Sequence, residues 1–186
     1  MLNDDQRARL LRIARQSIEA ALDGRRLEID LGALDLGSSD DILRRPSGVF
    51  VTLSERTGGL RGCIGSIEPV APLVQAVAGS AFNAAFRDPR FPPVRKEELP
   101  DLHIEISVMS PIVAVTDVSE IEVGRDGLIV SRGNHAGLLL PQVATEYAWD
   151  RDTFLRQTCN KAGLPSDAWR SPDCRIEKFS AEVFGE

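Results

Sequence analysis

The chain has 186 residues, enough to bury one sizeable core. Hydrophobic residues make up 42% and charged residues 27%, the balance of an ordinary soluble globular protein. Its 22 Lys and Arg against 28 Asp and Glu leave a net charge of −6, which argues against a broad nucleic-acid-binding surface. No run approaches the roughly 20 apolar residues of a membrane span, and the polar start at Asn3-Asp4-Asp5 lacks the apolar core of a secretory leader. The cysteines, Cys63, Cys159 and Cys174, are odd in number and form no C-x-x-C. A reducing, cytoplasmic setting fits them better than a disulfide framework.

In chain order, residues 3–22 read as an amphipathic helix. Leu10, Ala14, Ile18 and Leu22 recur at spacing four, Asn3 with Gln6 resembles a capping box, and Gly24 is a stop. Residues 23–47 read as loop, broken by Gly32, Gly37, Ser38, Ser39 and Pro46. The β-branched and aromatic run 48–53 predicts a strand, Gly58-Gly59 a turn, and residues 60–67 the returning strand. Alternation then places Arg61, Cys63 and Gly65 on one face of that strand.

Residues 72–87 follow helical spacing after Pro69 and Pro72. Three prolines within residues 89–93 stiffen the next loop, which carries Asp88 and Arg90. Residues 102–109 alternate strictly, with His103, Glu105, Ser107 and Met109 on one face. Further β-type runs are 112–118, a hairpin over 121–130 turning at 124–127, a short strand over 137–141 and a closing strand over 176–184. Residues 142–149 and 152–162 read as helices, the second placing Cys159 on an apolar face. His135 sits in a glycine loop.

The stretch Leu60-Arg61-Gly62-Cys63-Ile64-Gly65 holds the most chemistry. A thiolate is favoured beside a guanidinium, and the glycines flanking Cys63 leave room for another backbone, a substrate or an anion. A free cysteine is as often a small buried hydrophobe. A Cys–His pair needs a histidine within hydrogen-bond reach, so a cluster of Cys63, His103 and Glu105 requires the 102–109 strand to lie beside the Cys63 strand. No metal-ligand spacing, G-x-G-x-x-G or P-loop occurs, so no metal and no cofactor is expected.

These motifs carry a resemblance. The Leu60–Gly65 stretch is similar to the signature of the AMME syndrome candidate gene 1 protein family, whose prokaryotic members are called AmmeMemoRadiSam system protein A. The likeness continues through residues 84–94, 104–111 and 137–144 and the Trp149-Asp150 pair, covering roughly 45–184; Met109 stands where Leu is expected. The resemblance implies an α+β fold with a mainly antiparallel β-sheet flanked by helices and a smaller second lobe, in one family domain over 1–186. It implies a partnership with a Memo-like protein of dioxygenase fold and a radical S-adenosylmethionine enzyme. It also draws Arg61, Cys63 and Glu105 (candidate catalytic residues) and Gly62, Gly65, Asp88, Arg90, Gln142 and Glu146 (candidate binding residues) toward one cleft. Two functions follow: an accessory or adaptor component, or a small enzyme using Cys63 as nucleophile or redox group. A small-molecule or anion ligand at the Cys63 cleft and a homodimer are compatible with either; a nucleic-acid partner is disfavoured by charge.

Overall fold

The structure is a computed structural model that describes residues 1–29, 31 and 41–186. Of the loop expected over 23–47, residues 30 and 32–40 therefore lie outside the described residues. The chain divides into two compact units. One comprises Met1–Met109 with Glu182–Glu186, and the other Ser110–Ala181.

The first unit is a helix-backed antiparallel sheet. Helix α1 (Asp4–Leu22) begins at the expected capping box, in which Asn3 accepts from the Gln6 N–H and Gln6 from the Asn3 N–H. Its buried stripe of Leu10, Ile13, Ala14, Ser17 and Ile18 packs on α3 (Leu73–Phe86) and on β3 (Leu102–Met109). Ser17 Oγ donates to the Ala78 carbonyl at 2.8 Å, a contact that small residues on both helices permit. Helix α3 is apolar almost all round, because its other side lies on strands β1 (Val49–Glu55) and β2 (Leu60–Ser66). A short helix, α2 (Asp41–Arg44), contributes Leu43 to the same core.

The strand order here is β2-β1-β3, all antiparallel, and residues 182–185 at the end of the C-terminal strand β7 (Arg175–Gly185) continue this sheet. Val49, Val51, Leu53, Ile104 and Ile106 face the helices and are buried. Phe50, Thr52 and Ser54 alternate to the opposite face. Arg15 holds the Glu186 carboxylate and the Leu99 and Leu102 carbonyls, and Arg7 holds Glu182, so α1 ties down the chain terminus.

The second unit pairs β4 (Val113–Ala114) with β7, β7 with β5 (Asp126–Arg132), and β5 with β6 (His135–Leu139), all antiparallel. Helices α4 (Pro141–Glu146) and α5 (Arg151–Lys161) complete it around Leu128, Val130, Phe154, Leu155, Cys159 and Ile176. The expected α+β class with a mainly antiparallel sheet is present.

Several boundaries differ from the sequence reading. The hairpin is β5–β6 rather than 121–130. Its turn is Gly133-Asn134, with Gly133 at φ 59° in the first central position that a type II′ turn reserves for glycine. His135 therefore opens a strand. Residues 112–118 supply only a two-residue strand. The helix expected over 142–149 stops at Glu146, because Ala148 takes a left-handed conformation (φ 51°).

Candidate functional site

In an antiparallel sheet the residues directly opposite one another share a face. Thr52 pairs with Cys63 on one side and with Glu105 on the other. Cys63, Thr52 and Glu105 thus form one row across β2, β1 and β3. The rows beside it are Gly65–Phe50–Ser107 and, past a break in register, Ser54–His103. This polar face lies opposite the helix-covered one.

Cys63 is half-buried, and Thr52 Oγ1 donates to its Sγ at 3.3 Å. Its backbone is held from the other side. The Cys63 N–H donates to Asp88 Oδ2 at 2.9 Å, and its carbonyl accepts from Arg90 Nη2 at 3.3 Å. Both backbone groups therefore point away from β1. Cys63 and Thr52 form a non-hydrogen-bonded pair, the arrangement that brings side chains closest and explains the Thr52–sulfur contact.

Asp88 and Arg90 grip each other as well. Arg90 Nε reaches Oδ1 at 2.9 Å, Nη2 reaches Oδ2 at 2.6 Å, and the Arg90 N–H adds a third bond to Oδ1. The Asp88 side chain is only 2% exposed. The Arg90 guanidinium, then the Cys63 N–H, hold its carboxyl well below the usual carboxylate range. Residues 88–90 thus close the outer edge of β2, where unpaired backbone groups would otherwise be a liability.

Arg61 does not face the thiol. The register breaks between Leu53 and Ser54, so that Gly62 and Leu60 are paired while Arg61 is the extra residue of a β-bulge. Its buried guanidinium is bound to Glu98 (Nε–Oε1 2.7 Å, Nη2–Oε2 3.2 Å) and to the Pro92 carbonyl (3.0 Å). The expected sharing of a face by Arg61 and Cys63 fails because the bulge re-aims the side chain. Arg61, then the Arg95 N–H, draws the Glu98 carboxyl downward, with burial opposing.

The glycines are filled by the protein itself. A Cβ on Gly62 would stand 2.2 Å from the Ala84 carbonyl oxygen, so α3 rests directly on that strand position. A Cβ on Gly65 would meet the Val49 carbonyl at 2.1 Å and the Phe50 ring at 2.6 Å. Of the occupants the sequence left open at these glycines, another backbone is the one found on that side, in place of a substrate or an anion.

Glu105 and His103 are exposed on the Cys63 face, but β1 intervenes. Two strand spacings separate Cys63 from Glu105, about 10 Å between backbones, so the Cys63/His103/Glu105 cluster does not form. Gln142 and Glu146 lie exposed on α4 in the second unit. Among the described residues no group of three or more His, Cys, Asp or Glu is placed to hold a metal ion. None of the described helices is long and apolar enough to cross a membrane.

A family model described as AMMECR1 matches residues 11–184. The chain belongs to the AMMECR1 family. A protein of Methanothermobacter thermautotrophicus is 48% identical over an alignment of 194 positions that spans 100% of this chain and 96% of that protein. Protein PF1979 of Pyrococcus furiosus is 45% identical across 95% of this chain and 86% of its own length. The crystal structure of the uncharacterized protein PH0010 from Pyrococcus horikoshii matches with a TM-score of 0.76 at 44% identity, covering 95% of this chain and 89% of that one.

In this AMMECR1-family chain three site residues escaped the sequence reading. Thr52 could have been found, since its alternation with Phe50 and Ser54 already sets it on the polar face. Glu98 and Phe50 could not, because their partners Arg61 and Gly65 are chosen by a bulge and by strand pairing.

Proposed function

We propose that this protein is an accessory, adaptor-type component acting in the cytoplasm with a Memo-like protein of dioxygenase fold and a radical S-adenosylmethionine enzyme. The carrying observation is that the charged groups around Cys63 are committed to structure. Arg61 is bound to Glu98 and Pro92, and Asp88 to Arg90 and the Cys63 backbone. A strand edge braced in this way, next to a polar sheet face bearing Cys63, Thr52 and Glu105, supports recognition of a partner more than acid–base chemistry at the sulfur. The test is titration calorimetry of the full chain against each candidate partner from the same genome. Binding of at least one, weakened by Glu105→Lys, is expected; binding of neither sinks the reading.

A second reading keeps Cys63 as nucleophile or redox group. It is favoured by the half-buried thiol on the polar face with a hydroxyl donor on Sγ. Alkylation followed against pH by mass spectrometry decides it. Cys159 and Cys174 serve as controls, since burial pushes both of those thiols up. Cys63 labelling that outruns them well below pH 8 promotes this reading, and labelling as slow as Cys159 removes it.

A further inference from the structure

Away from Cys63, an open groove of about 650 Å³ lies between α3 and the chain that follows α1. Gln75, Gly79, Phe82 and Asn83 line it from α3. Their spacing marks one helix face turned from the sheet, and the Ser17–Ala78 contact between α1 and α3 lines the groove's edge. Arg87, at the helix end, and Arg26, on the facing segment with Leu27 and Ile29, bring its positive charge, and Glu28 is the one acidic residue lining it among the described residues.

Two features of the groove have no structural explanation within the described protein. Arg26 and Arg87 are both exposed, and among the described residues neither is ion-paired to a carboxylate. The chain's net charge is −6, so a groove with a cationic excess stands out. Arg87 is set against the aromatic wall, 5.2 Å from the Phe82 ring centroid. The other feature is Gly79. Glycine in a helix interior weakens the helix relative to alanine. Gly62 and Gly65 are required because other atoms occupy their Cβ positions, yet nothing lies within 4 Å of a Cβ at Gly79, and its φ is not positive. A glycine there leaves the groove floor low enough for an outside group to lie against the helix.

We propose that this groove binds a phosphorylated small molecule of nucleotide size, its phosphates held by Arg26 and Arg87 and its ring lying along Gly79 and Phe82. The volume falls within the range of small-ligand sites. Guanidinium forks free of carboxylates are the protein groups best matched to phosphate oxygens. The Asn83 amide and the Glu28 carboxylate supply partners for ring and hydroxyl groups, while Gln75 Nε2 donates to the Ile29 carbonyl at 3.4 Å across the groove. The inference does not depend on the adaptor reading.

The test is calorimetric titration of the full chain with adenosine diphosphate and with inorganic pyrophosphate, at low and at high salt. Adenosine diphosphate binds, pyrophosphate binds more weakly, and salt weakens both. Arg26→Ala and Arg87→Ala each weaken binding about tenfold, the loss of one charge-assisted pair. Gly79→Leu fills the floor and abolishes binding while the melting temperature holds or rises, since leucine is the better helix former. Circular dichroism checks each fold, with Arg→Gln replacements standing in for any alanine variant that unfolds. Three results overturn the proposal. One is no binding of either probe at millimolar concentration. Another is binding that all three variants leave unchanged. The third is arginine-dependent binding of a polyglutamate peptide but not of the phosphates, which would make the groove a seat for an acidic protein segment.

Discussion

Asp88 accepts four hydrogen bonds, from the Cys63 N–H, the Arg90 N–H and two atoms of the Arg90 guanidinium, with its side chain 2% exposed. All of them favour the charged carboxylate, so its folded pKa is depressed relative to the unfolded chain. For a depressed carboxyl, the stabilisation is fully present above the unfolded value, about 4. It is lost as the pH falls from there toward the folded value. Urea midpoints measured across this range should decline with acid in the natural protein. In Asp88→Asn the midpoint should be lower at neutral pH, with a flatter acid limb. Asparagine can still accept from the Cys63 N–H through its one neutral oxygen, but it sets an NH2 donor against the Arg90 fork in place of the second carboxylate oxygen. An unchanged acid limb in the variant would show that other carboxylates carry the effect. Because residues 88–90 brace the backbone on which the thiol sits, the same variant should also alkylate faster at Cys63.

Among the elements, the end of α4 shows how one residue redirects the chain. The Ala148 N–H reaches the Thr145 carbonyl at 3.2 Å, and the Trp149 N–H reaches the Ala144 carbonyl at 2.8 Å. This is the Schellman closure, in which the residue after the cap is left-handed and is most often glycine. Here it is Ala148 at φ 51°. The closure sets Tyr147 and Trp149 in a stack, with centroids 5.1 Å apart and planes 18° apart. Asp150 is then released to cap α5 by accepting from the Thr153 N–H. The helical spacing of residues 142–149 hides this stop, because alanine gives no sign of a left-handed turn. Left-handed alanine costs about 1–2 kcal/mol, and a glycine replacement returns part of the gain as unfolded-chain entropy. Ala148→Gly should therefore stabilise by about 0.5–1 kcal/mol in urea titration, with the near-ultraviolet dichroism of the stacked rings unchanged. A destabilised variant would mean that the Ala148 methyl makes packing contacts worth more than the strain.

Over the whole molecule, what the sequence made legible was local. Periodicity placed α1, α3, β1 and β3, because each reports its own buried face through spacing of three to four or two. The polar face with Cys63 and Glu105 was legible for the same reason. Strand order was not, and it is strand order that inserts Thr52 between Cys63 and Glu105. The bulge at Arg61 was equally hidden, since only the register of β1 against β2 defines the extra residue. At the glycines the sequence left another backbone, a substrate and an anion open, and only the fold chooses among them, because their neighbours come from distant segments.

Those glycines follow one rule in both units. A helix backbone rests on a strand glycine at Gly62, under Ala84, and at Gly137, where a Cβ would stand 2.3 Å from the Ala162 nitrogen. At Gly65 the backbone of the neighbouring strand is as close, with the Val49 carbonyl 2.1 Å and the Phe50 Cα 2.5 Å from a Cβ, while at Gly127 only a ring, that of Phe179, covers the glycine. The ring can turn aside, whereas a helix backbone moves only with its whole packed face. Gly62→Ala and Gly137→Ala should therefore each cost about 1–3 kcal/mol in urea titration, toward the upper end. Gly127→Ala should cost less wherever the Phe179 ring finds another rotamer, whereas Gly65→Ala meets the Val49 carbonyl and the Phe50 Cα whatever the ring does and should cost as much as Gly62→Ala. Gly62 and Gly137 share no contact partner, so the double variant should lose the sum of the two within about 0.5 kcal/mol. A clear departure from that sum would show that the helix–strand seat of one unit is felt by the other, and a cost at Gly127 equal to that at the other three glycines would show that the Phe179 ring is as fixed as the backbone.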